Sequence, residues 1–280
     1  MTQTTRDLTR AARSLLFVPG TRPDRFARAA DSGADAVIID LEDAVSEGDK
    51  HDARTAAAHY VARARSLVRI NGAGTDWHEQ DLMSLIGADG LAGVVVPKAE
   101  TVEQLVAVRE ALGGNVPVLA LIETAAGLRD APVLAQVPGL TRLLLGHLDL
   151  CLSLGVPSPA NRLALLYARS QLVVASRAAG LPGPVDGVQP NIDDDRATAA
   201  DAAHAVELGF EGKLCVHPRQ VPIVHDALRP AASEVEWASR IVIAAGGSAG
   251  GALRVNGEMI DKPRLELAHR ILDRAGGDAS

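Results

Sequence analysis

Aromatic side chains are scarce, with two Trp, two Tyr and three Phe in 280 residues. The interior must therefore be built from Ala, Val, Leu and Ile. The 47% hydrophobic content suffices for one large α/β domain with an appendage. Cysteine is nearly absent. Cys151 and Cys215 lie far apart without a CxxC pair, which argues against a disulfide framework and for a reducing compartment. Both read as small buried hydrophobes. Positive charge is also short. A net charge of −7 leaves no basic footprint for nucleic acid and no polybasic surface for anionic lipid, so the expected partner is a small molecule. No apolar run reaches membrane-spanning length. The opening MTQTTRDLTRAARS has no apolar core of a secretory signal, although its Arg and Ser/Thr content leaves a transit peptide open. A cytoplasmic protein, binding neither nucleic acid nor membrane, is the expectation.

What is present is alternation. Short β-type apolar runs alternate with Ala/Leu/Arg segments of helical period, the pattern of βαβ units around a parallel sheet. Eight strand candidates appear: 14–20, 36–42, 67–71, 93–98, 117–123, 142–149, 184–190 and 212–218. Glycine closes some of the intervening helical stretches, as in VEQLVAVREALGG and ATAADAAHAVELG. The pattern predicts an α/β fold, a (β/α)8 TIM barrel with a C-terminal helical extension. Its expected divisions are a flexible N-terminus over 1–12, the barrel over 13–228 and the extension over 229–280.

In such a barrel the C-terminal strand ends and the loops after them form the active face. Those ends read Pro19-Gly20, Glu42-Asp43, Arg69 and Asn71, Lys98, Glu123, Asp149, Pro190-Asn191 and His217. Nearly every one carries a polar group. The acids of VIIDLEDAV, namely Asp40, Glu42 and Asp43, thus belong at the barrel mouth rather than in a core. Glu123 and Asp149 end neighbouring strands without an obvious cationic partner each. Two such carboxylates suit a hard cation such as Mg2+, which keeps water and substrate oxygens in its other positions. Equally, each could cap the helix that follows it. Arg69, in the apolar strand LVRIN, has two compatible uses: a salt bridge to Asp40 or Glu42, and a fork held out to a substrate carboxylate.

The ordered set RSLLFVPGTRPDR, VIIDLEDAV followed by Lys50, Ala53 and Arg54, VRIN, VVVPKAE, LIETAAG, GHLD, LGFEGKLCVHPRQV and VNGEMIDKP resembles the citrate lyase beta subunit-like family of the HpcH/HpaI aldolase/citrate lyase superfamily, of the acyl-CoA lyase type. The likeness runs in order from about residue 13 to 272. It implies a (β/α)8 barrel with a C-terminal extension, Mg2+ as cofactor, and carbon–carbon bond chemistry on thioesters. Carried over by residue, it implies metal ligands at Glu123 and Asp149 and a 2-oxo acid held by Arg69. Glu42 and Asp43 match the acidic pair that supports a metal-bound water and the arginine. Asp261 matches an acid that relatives place over a neighbouring subunit's site. The cationic candidates for coenzyme A phosphates are Arg22, Lys50 and Arg54. One departure stands out: relatives have small or acidic residues between the glycine and aspartate of GHLD, whereas this chain has His147, read either as a satisfied barrel histidine or as a metal or substrate contact.

The function implied is a Mg2+-dependent lyase that cleaves a 3-hydroxyacyl-CoA of citramalyl-CoA or malyl-CoA type to a 2-oxo acid and acetyl-CoA, with Asp261 as general acid. The alternatives are the citryl-acyl-carrier lyase subunit of citrate lyase, a malyl-CoA thioesterase and a non-catalytic binding barrel. A homo-oligomer, trimer or hexamer, is expected because Asp261 would act across a subunit boundary.

Overall fold

The computed structural model describes residues 5–157, 162–246, 253–255 and 257–276, divided between two compact units, Met1–His225 and Asp226–Ser280. In the first, eight parallel strands close a barrel in sequential order: β1 Ser14–Pro19, β2 Ala36–Asp40, β3 Ser66–Arg69, β4 Leu91–Val96, β5 Val118–Ile122, β6 Leu140–Leu145, β7 Val185–Asp186 and β8 Gly212–Cys215. Closure comes from the pairing of Leu15 with Leu214 and Leu16 with Cys215. Every residue of β2 to β8 is buried, as expected of strands covered on both faces by barrel filling and outer helices. The helices are α1 Thr5–Ala11, α2 Phe26–Ala30, α3 Lys50–Val61, α4 His78–Leu85, α5 Val102–Ala111, α6 Ala125–Leu134, α7 His147–Leu154, α8 Leu166–Ala178, α9 Asp195–Glu207 and α10 Gln220–Leu228. Among the described residues no helix is long and apolar enough to cross a membrane.

Local chemistry sets where strands stop and helices start. β2 ends two residues before the expected Glu42, because the Asp40 carboxylate accepts the backbone N–H groups of Glu42 (2.9 Å) and Ala44 (3.2 Å) and turns the chain. Thr101 and Gln104 form a reciprocal capping box that starts α5, and Thr124 caps α6 through the Gly127 N–H. β6 also stops early, at Leu145, so His147 and Asp149 stand in the first turn of α7 and not on one strand face as the sequence suggested. The expected strand over 184–190 pairs only at Val185–Asp186. Residues 5–11 form α1, and Leu8 packs against the barrel cluster of Ala12, Leu15, Leu119 and Leu144.

Between the strands and the outer helices α8 and α9, charge takes the place of the missing aromatics. Lys213 donates to Asp186 (3.2 Å), Asp201 (2.5 Å) and the Gly187 carbonyl (2.7 Å), and Arg169 reaches Asp186 at 2.9 Å. Lys213, Asp186 and Arg169 are all buried.

The second unit is a helical pair, α11 Ala232–Gly246 and α12 Lys262–Gly276, with an antiparallel hairpin of β9 Leu253–Val255 and β10 Glu258–Ile260. Its small core joins Ala238, Ile241, Ile260, Ala268 and Ile271. Most of the glycine-rich stretch ahead of β9 lies outside the described residues.

Removing Asp186 should be severe, because it strips buried Arg169 of its ion pair and leaves Lys213 with Asp201 alone as counter-charge. Asp186→Ala is expected to cost about 3–5 kcal/mol in urea unfolding at neutral pH. Burial alone would raise the Asp186 carboxyl, but the charges of Lys213 and Arg169 hold it below the ordinary carboxylate value. Its contribution is therefore present above the unfolded value of about 3.9 and is lost as pH falls through the lower folded value. The gap between wild type and variant should narrow in acid, and a gap independent of pH would contradict this account.

Candidate active site at the barrel mouth

Asp40 and Arg69 are register partners on β2 and β3, and their side chains meet in a bidentate pair. Arg69 Nε lies 2.7 Å from Asp40 Oδ1, and Nη2 lies 2.6 Å from Oδ2. The guanidinium also stacks 4.9 Å over the Phe17 ring, and its Nη1 is 3.0 Å from Glu42 Oε2 and 3.7 Å from Asp43. Held on three sides, it is a preset fork at the end of β3. Burial would lower its basicity, yet Asp40 and Glu42 raise it, so it is permanently charged.

Lys98, just past β4, joins the remaining acids. Its backbone N–H donates to Glu123 Oε1 at 2.8 Å, and its ammonium to Glu42 Oε1 at 2.5 Å. To serve both it takes a left-handed backbone, φ +45°, the sole non-glycine among the described residues to do so. Glu123, at the end of β5, is buried. Burial first, and the charge of Glu42 second, push its carboxyl up to about 8 despite Lys98 and Arg69. It is a carboxylate short of positive charge.

Asp149, half-buried in the first turn of α7, faces the same cavity of about 560 Å³ as Glu123, Asp40, Asp43, Arg69 and His147. Among the described residues no group of three His, Cys, Asp or Glu side chains gathers as a closed metal cage. Two carboxylates, one of them under-neutralised, instead fit a hard cation that keeps water and substrate oxygens around it. Glycine makes the room. A Cβ on Gly146 would strike the Glu123 carboxylate, and one on Gly187 would strike His147 Nδ1. His147 is buried, and burial lowers its imidazole to about 4.

The three cations proposed for phosphate contacts divide. Lys50 is buried, donating to the Leu41 and Glu42 carbonyls (2.8 Å each) and to Asn71 Oδ1 (2.6 Å). Arg54 is buried against Asp81 (2.7 Å) and Gln80 (2.8 Å), and Asp81 in turn accepts the Asn71 backbone and side-chain amides. These two charges are engaged in fastening the loops after β2 and β3. Arg22 is the exposed one, paired with Asp24 at 2.8 Å. In the second unit Asp261 is exposed and caps α12 through the Arg264 N–H at 3.2 Å. Sequence reasoning left Lys98 as one polar strand end among several; only its backbone conformation reveals that it bridges two acids.

A family model described as HpcH/HpaI aldolase/citrate lyase matches residues 13–218. A citrate lyase subunit beta-like protein of Mycobacterium tuberculosis is 37% identical over 267 residues, covering 93% of this chain and 94% of that one. A (3S)-malyl-CoA thioesterase of Cereibacter sphaeroides is 32% identical over 272 residues, 94% of each. Among solved structures, protein CitE from Mycobacterium tuberculosis in complex with magnesium, acetoacetate and coenzyme A is similar with a TM-score of 0.83 and 36% identity, covering 96% of this chain and 99% of that one.

The contact between Gly146 and Glu123 generates a test. Gly146→Ala should displace the Glu123 carboxylate and weaken divalent-cation binding, read by calorimetry with Mg2+ or Mn2+, by about tenfold or more. Gly48→Ala, whose Cβ meets open space, should leave that affinity unchanged. Equal affinity in both variants would remove Glu123 from the cation site.

Proposed function

From the premise that the chain belongs to the HpcH/HpaI aldolase/citrate lyase family, a family of carbon–carbon lyases, we propose that it is a Mg2+-dependent acyl-CoA lyase acting on a 3-hydroxyacyl-CoA of citramalyl or malyl type. The observation that carries this reading is the meeting of Arg69, Glu123 and Asp149 at one cavity, in a chain similar along nearly its whole length to a protein solved with magnesium, acetoacetate and coenzyme A.

Glu123 and Asp149 would hold the ion, with Glu42 and Asp43 also at the barrel mouth. When bound, Mg2+ supplies Lewis-acid charge to the oxygens at the reacting carbon. Arg69, fixed by Asp40, grips the carboxylate that becomes part of the 2-oxo acid and adds positive charge beside the same oxygens. Such a preorganised contribution is often worth about 3–4 kcal/mol. The C2–C3 bond breaks, its electron pair passes to the acetyl-CoA enolate, and the C3 oxygen becomes the carbonyl oxygen of the 2-oxo acid as its proton leaves toward the acidic cluster. Asp261 then delivers a proton to the enolate carbon.

We assign Asp261 to the site of a neighbouring subunit, in a homo-oligomer of three or six chains. Support comes from its exposure at the end of a hairpin outside the barrel unit and from the motif GEMIDKP. Arg22 remains the candidate contact for coenzyme A phosphate. A second reading, hydrolysis of malyl-CoA by water on the same Arg69 and Mg2+ platform, is favoured by the likeness to a named thioesterase.

A panel of malyl-, citramalyl- and 3-hydroxy-3-methylglutaryl-CoA with Mg2+ separates the two readings by product mass. Acetyl-CoA with glyoxylate or pyruvate supports the lyase, whereas free hydroxy acid with coenzyme A supports the thioesterase. Glu123→Ala and Asp149→Ala should each abolish Mg2+-dependent turnover in a folded protein, and full activity in chelator would overturn the metal assignment. Arg69→Lys keeps the charge but loses the fork, so it should lower kcat/KM at least about tenfold. Inactive Asp261→Ala and Glu123→Ala chains, mixed and allowed to exchange, should regain part of the activity. If every mixture stays dead, each site is made by one chain.

A further inference from the structure

His147 is a buried, polar side chain on the cavity wall with no role in the chemistry above. Its Nδ1 is buried and makes no hydrogen bond. The reason is visible opposite it: the ring presents Nδ1 to the Cα of Gly187, so closely that a Cβ there would overlap the nitrogen. A C–H group faces the Nδ1 lone pair, which leaves the neutral ring's proton on Nε2. If the ring were doubly protonated, Nε2 would carry a hydrogen all the same. The far edge of the ring is the part left for the cavity that His147 lines.

The rest of the lining shows what that edge is for. The lining combines apolar groups, among them Leu121, Leu145, Val188 and Leu214, with Asp40, Asp43, Glu123 and Asp149, which accept but do not donate when ionised. Arg69 is the other lining side chain with donors, and three of its nitrogens already face Asp40 and Glu42. A substrate rich in carboxylate and carbonyl oxygens therefore meets few side-chain donors here.

Building on the proposed function, we propose that His147 Nε2–H donates to a carboxylate or carbonyl oxygen that citramalyl- and malyl-CoA share, making it a substrate-positioning residue. The placement is enforced by its neighbours. Gly146 before it seats against Glu123, Asp149 follows two residues later, and Gly187 fixes the ring from behind.

The test measures binding directly, so that it does not depend on turnover. Pyruvate and glyoxylate, the 2-oxo acids of the two substrate types, are titrated calorimetrically into wild type, His147→Leu and His147→Gln with Mg2+ present, and folding is checked by circular dichroism. Wild type should bind both. His147→Leu should weaken both by about tenfold or more, and His147→Gln, which keeps a donor, should recover most of the loss. Nitrogen NMR of histidine-labelled wild type supplies a readout that needs no variant. It should show Nε2 protonated and Nδ1 bare, with the Nε2 signal moving when pyruvate is added. Unchanged affinities in His147→Leu, or an Nε2 signal indifferent to ligand, overturns the role of His147 while leaving the lyase reading intact. If wild type binds neither acid, both fall together.

Discussion

The ion pair between Asp40 and Arg69 is the constraint on which the barrel mouth depends. The Asp40 carboxylate takes four donors: two from the Arg69 guanidinium and two from the backbone of its own following turn. One side chain thereby ends β2, shapes the loop that carries Glu42 and Asp43, and sets the angle of Arg69. A buried pair of this kind is no source of stability by itself, since desolvation consumes much of the Coulombic gain. What it supplies is placement. Every lone pair that burial exposes to cost is met, and the guanidinium cannot rotate without leaving Asp40 unpaired.

Placement matters because the mouth is heavily acidic. Asp40, Glu42, Asp43, Glu123 and Asp149 converge there, against Arg69 and Lys98. Asp40 absorbs Arg69 and Glu42 absorbs Lys98, so Glu123 is left to hold its charge in a buried place with only a peptide N–H for support. Its carboxyl rises accordingly. The deficit lies toward the cavity that Asp149 also lines, which is where an added cation would be stabilised most. The left-handed backbone of Lys98 belongs to the same balance. The strain positions one N–H on Glu123 and one ammonium on Glu42, and neither acid can drift toward the other while Lys98 stands between them.

Much of this was legible in the chain itself. Alternating apolar runs and helical periods gave away the eight-stranded barrel, because parallel strands buried on both faces leave a hydrophobic signature that tertiary contacts do not erase. Strand ends were less legible. Asp40 and Gly146 stop their strands through a side-chain turn and a close approach to Glu123, and neither event leaves a periodic trace. The partners of the cations were hidden for a related reason: Lys50 and Arg54 sit in a regular K-x-x-A-R spacing, and only the positions of Asn71 and Asp81, 21 and 27 residues onward, show which groups their charges engage internally. Spacing reports what shares a helix face, not what lies across it.

Lys50 and Arg54 also explain how a mouth made of loops can be rigid. Lys50 fastens the carbonyls of Leu41 and Glu42 to Asn71, while Asp81 on α4 receives Asn71 from one side and Arg54 from the other. The loops after β2 and β3, which carry Glu42, Asp43 and the chain beyond Arg69, are thus tied to α3 and α4 by buried charge-assisted hydrogen bonds rather than by packing. In a chain with so few aromatics, bulky anchors are not at hand to pin such loops, and a network of Lys, Arg, Asp and Asn takes their place. The same substitution recurs between strands β7 and β8 and helices α8 and α9 with Lys213, Arg169, Asp186 and Asp201. Both networks serve the mouth: the first holds the acids beside Arg69, and the second, through the Lys213 bond to the Gly187 carbonyl, steadies the glycine against which His147 rests.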